Sequence, residues 1–169
     1  MPNVVIVLIL VISVVTDLRN RKILNIVTLP AILGALIYHF NSSGLEGFLF
    51  SGQGFLVGLG LFFIPFILGG IGAGDVKLLA ALGAWKGAYF IFYTGIYAAI
   101  FSGIIALFIL LKRRKLGFTL NQILLSAIFW KSKKVSLLVK DNKQSSVSSP
   151  YAVPIALGSV FTFLIEITL

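Results

Sequence analysis

The sequence predicts an all-α membrane bundle of about six transmembrane helices with its N-terminus outside, and three observations carry that prediction. Of 169 residues, 59% are hydrophobic and only 11% charged, where a soluble domain carries about 25% charged residues. Mean hydropathy is +1.07. The basic residues sit in short stretches between apolar runs, the pattern of charges that orient a chain in a bilayer. At roughly 20 apolar residues per crossing, residues 1–169 form one membrane domain with no room for a separate soluble one.

The first apolar segment, Pro2–Thr16, lacks a basic leading region and a small-residue cleavage site, so it reads as a retained span rather than a signal peptide. The second covers Ile23–Phe40 and the third Phe48–Ile71. Gly54 and Gly58 give the third a small-xxx-small spacing suited to close helix packing, with Gly60 nearby. Gly69 and Gly70 loosen the approach to the fourth, Val76–Trp85. The first and fourth segments are short. At 1.5 Å per residue, 15 residues reach only about 22 Å, so both need a thinned or hydrated bilayer or polar extensions.

The fifth segment, Ala88–Leu111, is comfortably long, and the last is Tyr151–Leu169. Between them lies a basic connection, residues 112–150. Leu120, Ile123, Leu124, Ala127 and Ile128 recur there at helical spacing, followed by Trp130 and lysines. That reads as a helix on the inner leaflet, or equally as a seventh apolar piece packed on the bundle. Asp141–Ser149 is a polar loop.

The net charge of +9 does not indicate nucleic-acid binding, because of the 14 basic residues only Lys86 falls outside the loops and span end that share one membrane face. That face is the cytoplasmic one. With no cysteine and one histidine, disulfides, thiolate chemistry, cysteine-ligated zinc and a histidine-built metal site are all disfavoured. His39 reads as an interface residue near the outer end of the second span.

Acids near a bilayer are costly, so each of the five needs a reason. Asp141 and Glu46 fall in polar loops, and Glu166 near the outer interface. Asp17 closes the first span on the inner side, and two further spans bring Asp75 back to the same face. Two carboxylates held close share one proton. One can then activate water while the other polarises a carbonyl. Topology alone leaves this pairing level with an orienting or capping role for each aspartate.

The surrounding residues move that balance. Asp75 lies in Gly72-Ala73-Gly74-Asp75-Val76-Lys77, where glycines allow close backbone approach. This stretch resembles the GxGD intramembrane aspartyl peptidases, and in particular the prepilin peptidases. Asp17-Leu18-Arg19-Asn20-Arg21-Lys22-Ile23-Leu24-Asn25 is similar to that family's first-aspartate motif, with Leu24 in place of a proline. Pro150-Tyr151-Ala152-Val153-Pro154 is similar to its final-helix motif, with Ala152 in place of a glycine.

The resemblance implies Asp17 and Asp75 as catalytic residues. It implies Gly72, Gly74, Lys77, Asn25, Pro150, Tyr151 and Pro154 as site-supporting ones. The implied partners are membrane lipid and a prepilin or pseudopilin substrate with a basic leader and an apolar N-terminal helix. No metal or cofactor is implied for cleavage in the inner membrane. S-adenosylmethionine would enter only with an added methyltransferase activity, and the paired CxxC insertion of the larger bifunctional enzymes is missing here, as in the short peptidases of tight-adherence pilus systems. Lys77 lies about 200° round a helix from Asp75 and is not its direct partner; supporting the site and snorkelling to the interface are equal readings of it. A small proton- or cation-coupled transporter and a non-catalytic pilus assembly factor are the alternatives. The position of the acids at one face counts against the first, and the retention of both acids against the second.

Overall fold

The computed structural model describes residues 2–68, 70–112 and 151–168; the surface helix and polar loop expected within 112–150 lie outside the described residues. The chain divides into one compact unit of Met1–Ser102 with Pro150–Leu169 and a second of Gly103–Ser149. Of the second, only the end of one helix is described. Every regular element among the described residues is α-helical, as the composition predicts.

Helix α1, Pro2–Asn20, runs four residues past its expected end. Its turns continue through Asp17 until Arg21, which adopts φ 51° and donates its N–H to the Asp17 carbonyl at 2.8 Å. Nineteen residues make a helix of about 28 Å, so α1 does not need the thinned bilayer that the shorter reading required. Its buried stripe is Ile6, Ile9, Leu10, Ser13 and Asp17. Val4, Val7, Leu8 and Val11 face outward, as a lipid-facing surface does.

The expected second and third segments form one long element, α2, Asn25–Ile67, broken at Ser43 (φ −140°) and Gly44 (φ 60°, ψ −134°). A glycine is needed at Gly44 because a side chain disfavours that backbone conformation. In a straight helix residues 39 and 47 would be about 12 Å apart. Here Gly47 lies directly against the His39 carbonyl, and the Phe40 and Phe48 rings meet edge to face at 6.3 Å. The chain therefore folds back into two limbs, 25–42 and 45–67. The loop expected over 41–47 shrinks to the two-residue break.

Helix α3, Ala73–Lys86, is followed after one residue by α4, Ala88–Lys112. Gly87 makes that corner with φ 90°, and the Phe50 ring occupies the space a side chain would take. Helix α5 is Ala152–Thr168. By length and composition α1, α2 and the Ala88–Phe108 part of α4 are long and apolar enough to cross a membrane.

Helix α3 is the core. Val76 and Leu78 through Trp85 are all buried, the all-round burial expected of a central helix. Lipid offers helices no hydrophobic drive to associate, so close packing and hydrogen bonds must do it. Both occur. Gly54 and Gly83 meet backbone to backbone, and Gly58 meets the Leu79 carbonyl, so the small-residue spacing read in the sequence is a helix contact. At the C-terminal end of α3, Ser51 donates to the Ala84 carbonyl at 2.8 Å and His39 Nε2–H to the Trp85 carbonyl at 3.2 Å. The Trp85 indole donates to the Ala31 carbonyl at 2.8 Å. Helix α5 packs on α4 through Gly158, which faces Thr94 and Ala98.

A side chain at Gly54 would collide with the α3 backbone, so Gly54→Ile should lower stability by about 1–3 kcal/mol. Gly60, with open space around it, should accept Ala without loss. Unfolding of the purified chain in micelles compares the two.

Candidate active site

Asp17 and Asp75 come from helices that run in opposite senses past one another. Asp17 belongs to the last turn of α1 and Asp75 to the first turn of α3. Both are buried, at 6% and 7% exposure. The chain just after α1 touches the start of α3, Ile23 lying against Gly74. The last turn of α1 and the first turn of α3, each with a buried acid, thus come to one end of the bundle.

Each carboxylate is held by a helix N-terminus, where backbone N–H groups lack intrahelical partners. Asp17 Oδ2 accepts the Ala152 N–H at 3.0 Å, so Asp17 closes the start of α5. Asp75, third residue of α3, reaches back so that its Oδ2 accepts the Gly72 N–H at 3.1 Å. That is half of a capping box; a glycine has no side chain to complete the other half. A carboxylate at the positive end of a helix dipole is favourably placed.

Gly72 is the extended residue immediately before α3. Gly74 is pressed against Ile23, where an added Cβ would come within 2.9 Å of the Ile23 Cβ. The connection between α1 and α2 therefore lies across the start of α3. Lys77 Nζ donates to Asn25 Oδ1 at 2.9 Å, tying the first turn of α2 to α3 beside the acids. Lys77 does not contact Asp75, consistent with its expected angle. Tyr151 precedes α5 and accepts the Ile155 N–H at 3.3 Å. Pro154 is buried in the first turn of α5. Pro150 lies outside the described residues.

Three participants were not read from the sequence. The Ala152 N–H is a backbone group and leaves no residue signature. Ile23 acts by its place in the connection. Ser13 is buried one turn from Asp17, and here a signal was available: the i, i+4 spacing on one face. At the opposite ends of α3 and α5, Lys86 pairs with Glu166 at 2.7 Å. Beside them opens a groove of about 590 Å³ lined by Tyr89, Tyr93, Tyr97 and Thr162. Lys86 and Asp75 stand at opposite ends of α3, so this groove is not where the acids meet.

Among known proteins, the type IV leader peptidase family matches residues 4–110, which include Asp17 and Asp75 and end before the final motif. No curated protein matches the chain, and no solved structure does.

Removing the Asp17 carboxylate strands the Ala152 N–H, so Asp17→Ala should cost about 1–3 kcal/mol. Asp17→Asn keeps an acceptor and should cost less. Unfolding of both variants in micelles measures the difference.

Proposed function

This chain belongs to the type IV leader peptidase family, and from that premise we propose that it is an aspartyl endopeptidase of the cell membrane with Asp17 and Asp75 as its catalytic pair. The observation that carries the reading is the burial of two acids from different helices, each hydrogen-bonded to a backbone N–H at a helix start.

The chemistry follows from one proton shared between two carboxylates. The ionised member takes a proton from water as the water oxygen attacks the scissile carbonyl. The protonated member donates to the carbonyl oxygen as negative charge develops there. The tetrahedral species then collapses, the C–N bond breaks, and the leaving amine nitrogen takes up a proton from the pair. A new carboxylate and a new N-terminal amine result. No cofactor takes part in the cleavage, and methylation of the amine is not part of the proposal.

The substrate is a prepilin- or pseudopilin-like chain whose basic leader stays in the cytoplasm while its apolar helix lies in the bilayer. The leader junction then falls at the inner membrane interface, where charge counting puts both aspartates and where water is available. The Gly72–Gly74 turn supports this reading by letting the α1–α2 connection pack closely on the start of α3, which sets Asp75 in place. Lys77 and Asn25 hold that turn against the start of α2. Six crossings with the N-terminus outside complete the proposal, the two limbs of α2 counting as separate spans.

Asp17→Asn and Asp75→Asn should each reduce cleavage by at least 100-fold while the protein stays in the membrane. The assay uses vesicles with a synthetic substrate of basic leader, glycine and apolar helix, and normal processing by either variant removes the pair. Orientation has its own test, because the chain has no cysteine of its own. A membrane-impermeant maleimide should label Lys22→Cys only from the cytoplasmic side and Ser42→Cys only from the opposite side; the reverse result would invert the topology.

A further inference from the structure

Two side-chain hydroxyls, those of Ser13 and Thr28, are buried at 1% and 0% exposure and have no hydrogen-bond partner among the described residues. Buried polar groups in proteins are almost always paired, directly or through water. Each hydroxyl therefore calls for a partner, and the two differ in what surrounds them.

Ser13 stands one helical turn before Asp17, and both belong to the buried stripe of α1. Residues four apart on a helix face have Cβ atoms about 5–6 Å from each other. The Ser13 hydroxyl makes no direct bond to the carboxylate, and at that separation a single water can bridge the two. Asp17 has an oxygen available for it. Its Oδ2 takes the Ala152 N–H, while Oδ1 has no protein donor among the described residues. Thr28, in the first turns of α2, has no acid on its own helix within reach, since α2 carries its sole carboxylate at Glu46.

We infer that Ser13 is a positioning residue for Asp17, holding a bound water against Asp17 Oδ1 while Ala152 holds Oδ2. The inference rests on the reading of Asp17 as catalytic. With both oxygens fixed, the carboxylate cannot rotate about its Cβ–Cγ bond as substrate enters, and it meets the reacting groups in one orientation. Apolar side chains fill the rest of the α1 stripe, with Ile9 and Leu10 in the turn below. Ser13 is thus the one hydroxyl in that stripe able to serve. Its backbone carbonyl already accepts the Thr16 hydroxyl at 3.1 Å, which leaves the Ser13 hydroxyl itself for the water.

The test compares the full chain with Ser13→Ala and Thr28→Val in vesicles, using the same synthetic substrate. Ser13→Ala should lower kcat about 10-fold with KM unchanged, while Thr28→Val leaves kcat as it is. Wild-type kcat in Ser13→Ala overturns the inference, and so does an equal loss in both variants. A second readout does not need activity. If the water joins the two side chains, the effects of Ser13→Ala and Asp17→Ala on the unfolding midpoint are not additive in the double variant. Additive effects overturn the inference even if wild-type protein cleaves nothing, an outcome that would itself dispose of the peptidase reading.

Discussion

A helix of fourteen residues is about 21 Å long, and α3 is buried on every side along most of that length. Its terminal N–H and C=O groups need partners wherever packing buries them, and each one left unpaired there costs about 1–3 kcal/mol. The rest of the fold answers that constraint on α3. At its start the Asp75 carboxylate takes the Gly72 N–H. At its end the last carbonyls go to the Gly87 N–H, Ser51 and His39. The two limbs of α2 supply the side-chain partners, which is one physical reason for the chain to fold back at Gly44 before it enters α3.

The same economy explains why Asp17 is buried. It satisfies the first N–H of α5 and in doing so brings a carboxylate of α1 to the place where α3 begins. A side chain that holds the bundle together is thus also half of the candidate catalytic pair. The hydrogen bonding that places the acids is the bonding required by two helix starts, so the structural and the chemical readings of Asp17 are not rivals.

Much of this was legible. The apolar runs foretold the helices, and the spacing of Gly54 and Gly58 a close contact. The angle of Lys77 kept it away from Asp75. What escaped notice depends on groups with no local signature. Gly83 was not matched to Gly54, because a pairing between distant glycines leaves no periodicity in either helix. His39 was read as an interface residue, yet it serves the Trp85 carbonyl, and only tertiary structure brings those together. Lys86 and Glu166 were each treated as solitary for the same reason. Two features do have a local signal. Gly87 follows a basic residue at a helix end, the usual C-terminal signal, and Ser13 lies at i−4 from an acid. The end of α1 was misjudged because hydropathy falls at Asp17 while the helical hydrogen bonds continue to Arg21.

The glycine contact between α2 and α3 has a mechanical consequence. Where backbones touch at Gly54, Gly58 and Gly83, ridges and grooves interlock without pliable side chains between them, and sliding or rolling by a fraction of a turn meets immediate steric resistance. Helix α1 is seated differently, on the branched side chains Ile6, Ile9 and Leu10, which can change rotamer. The acid on α3 is therefore mounted on an anvil, and the acid on α1 on a cushion. Any adjustment of the gap between them is made by the helix that carries Asp17.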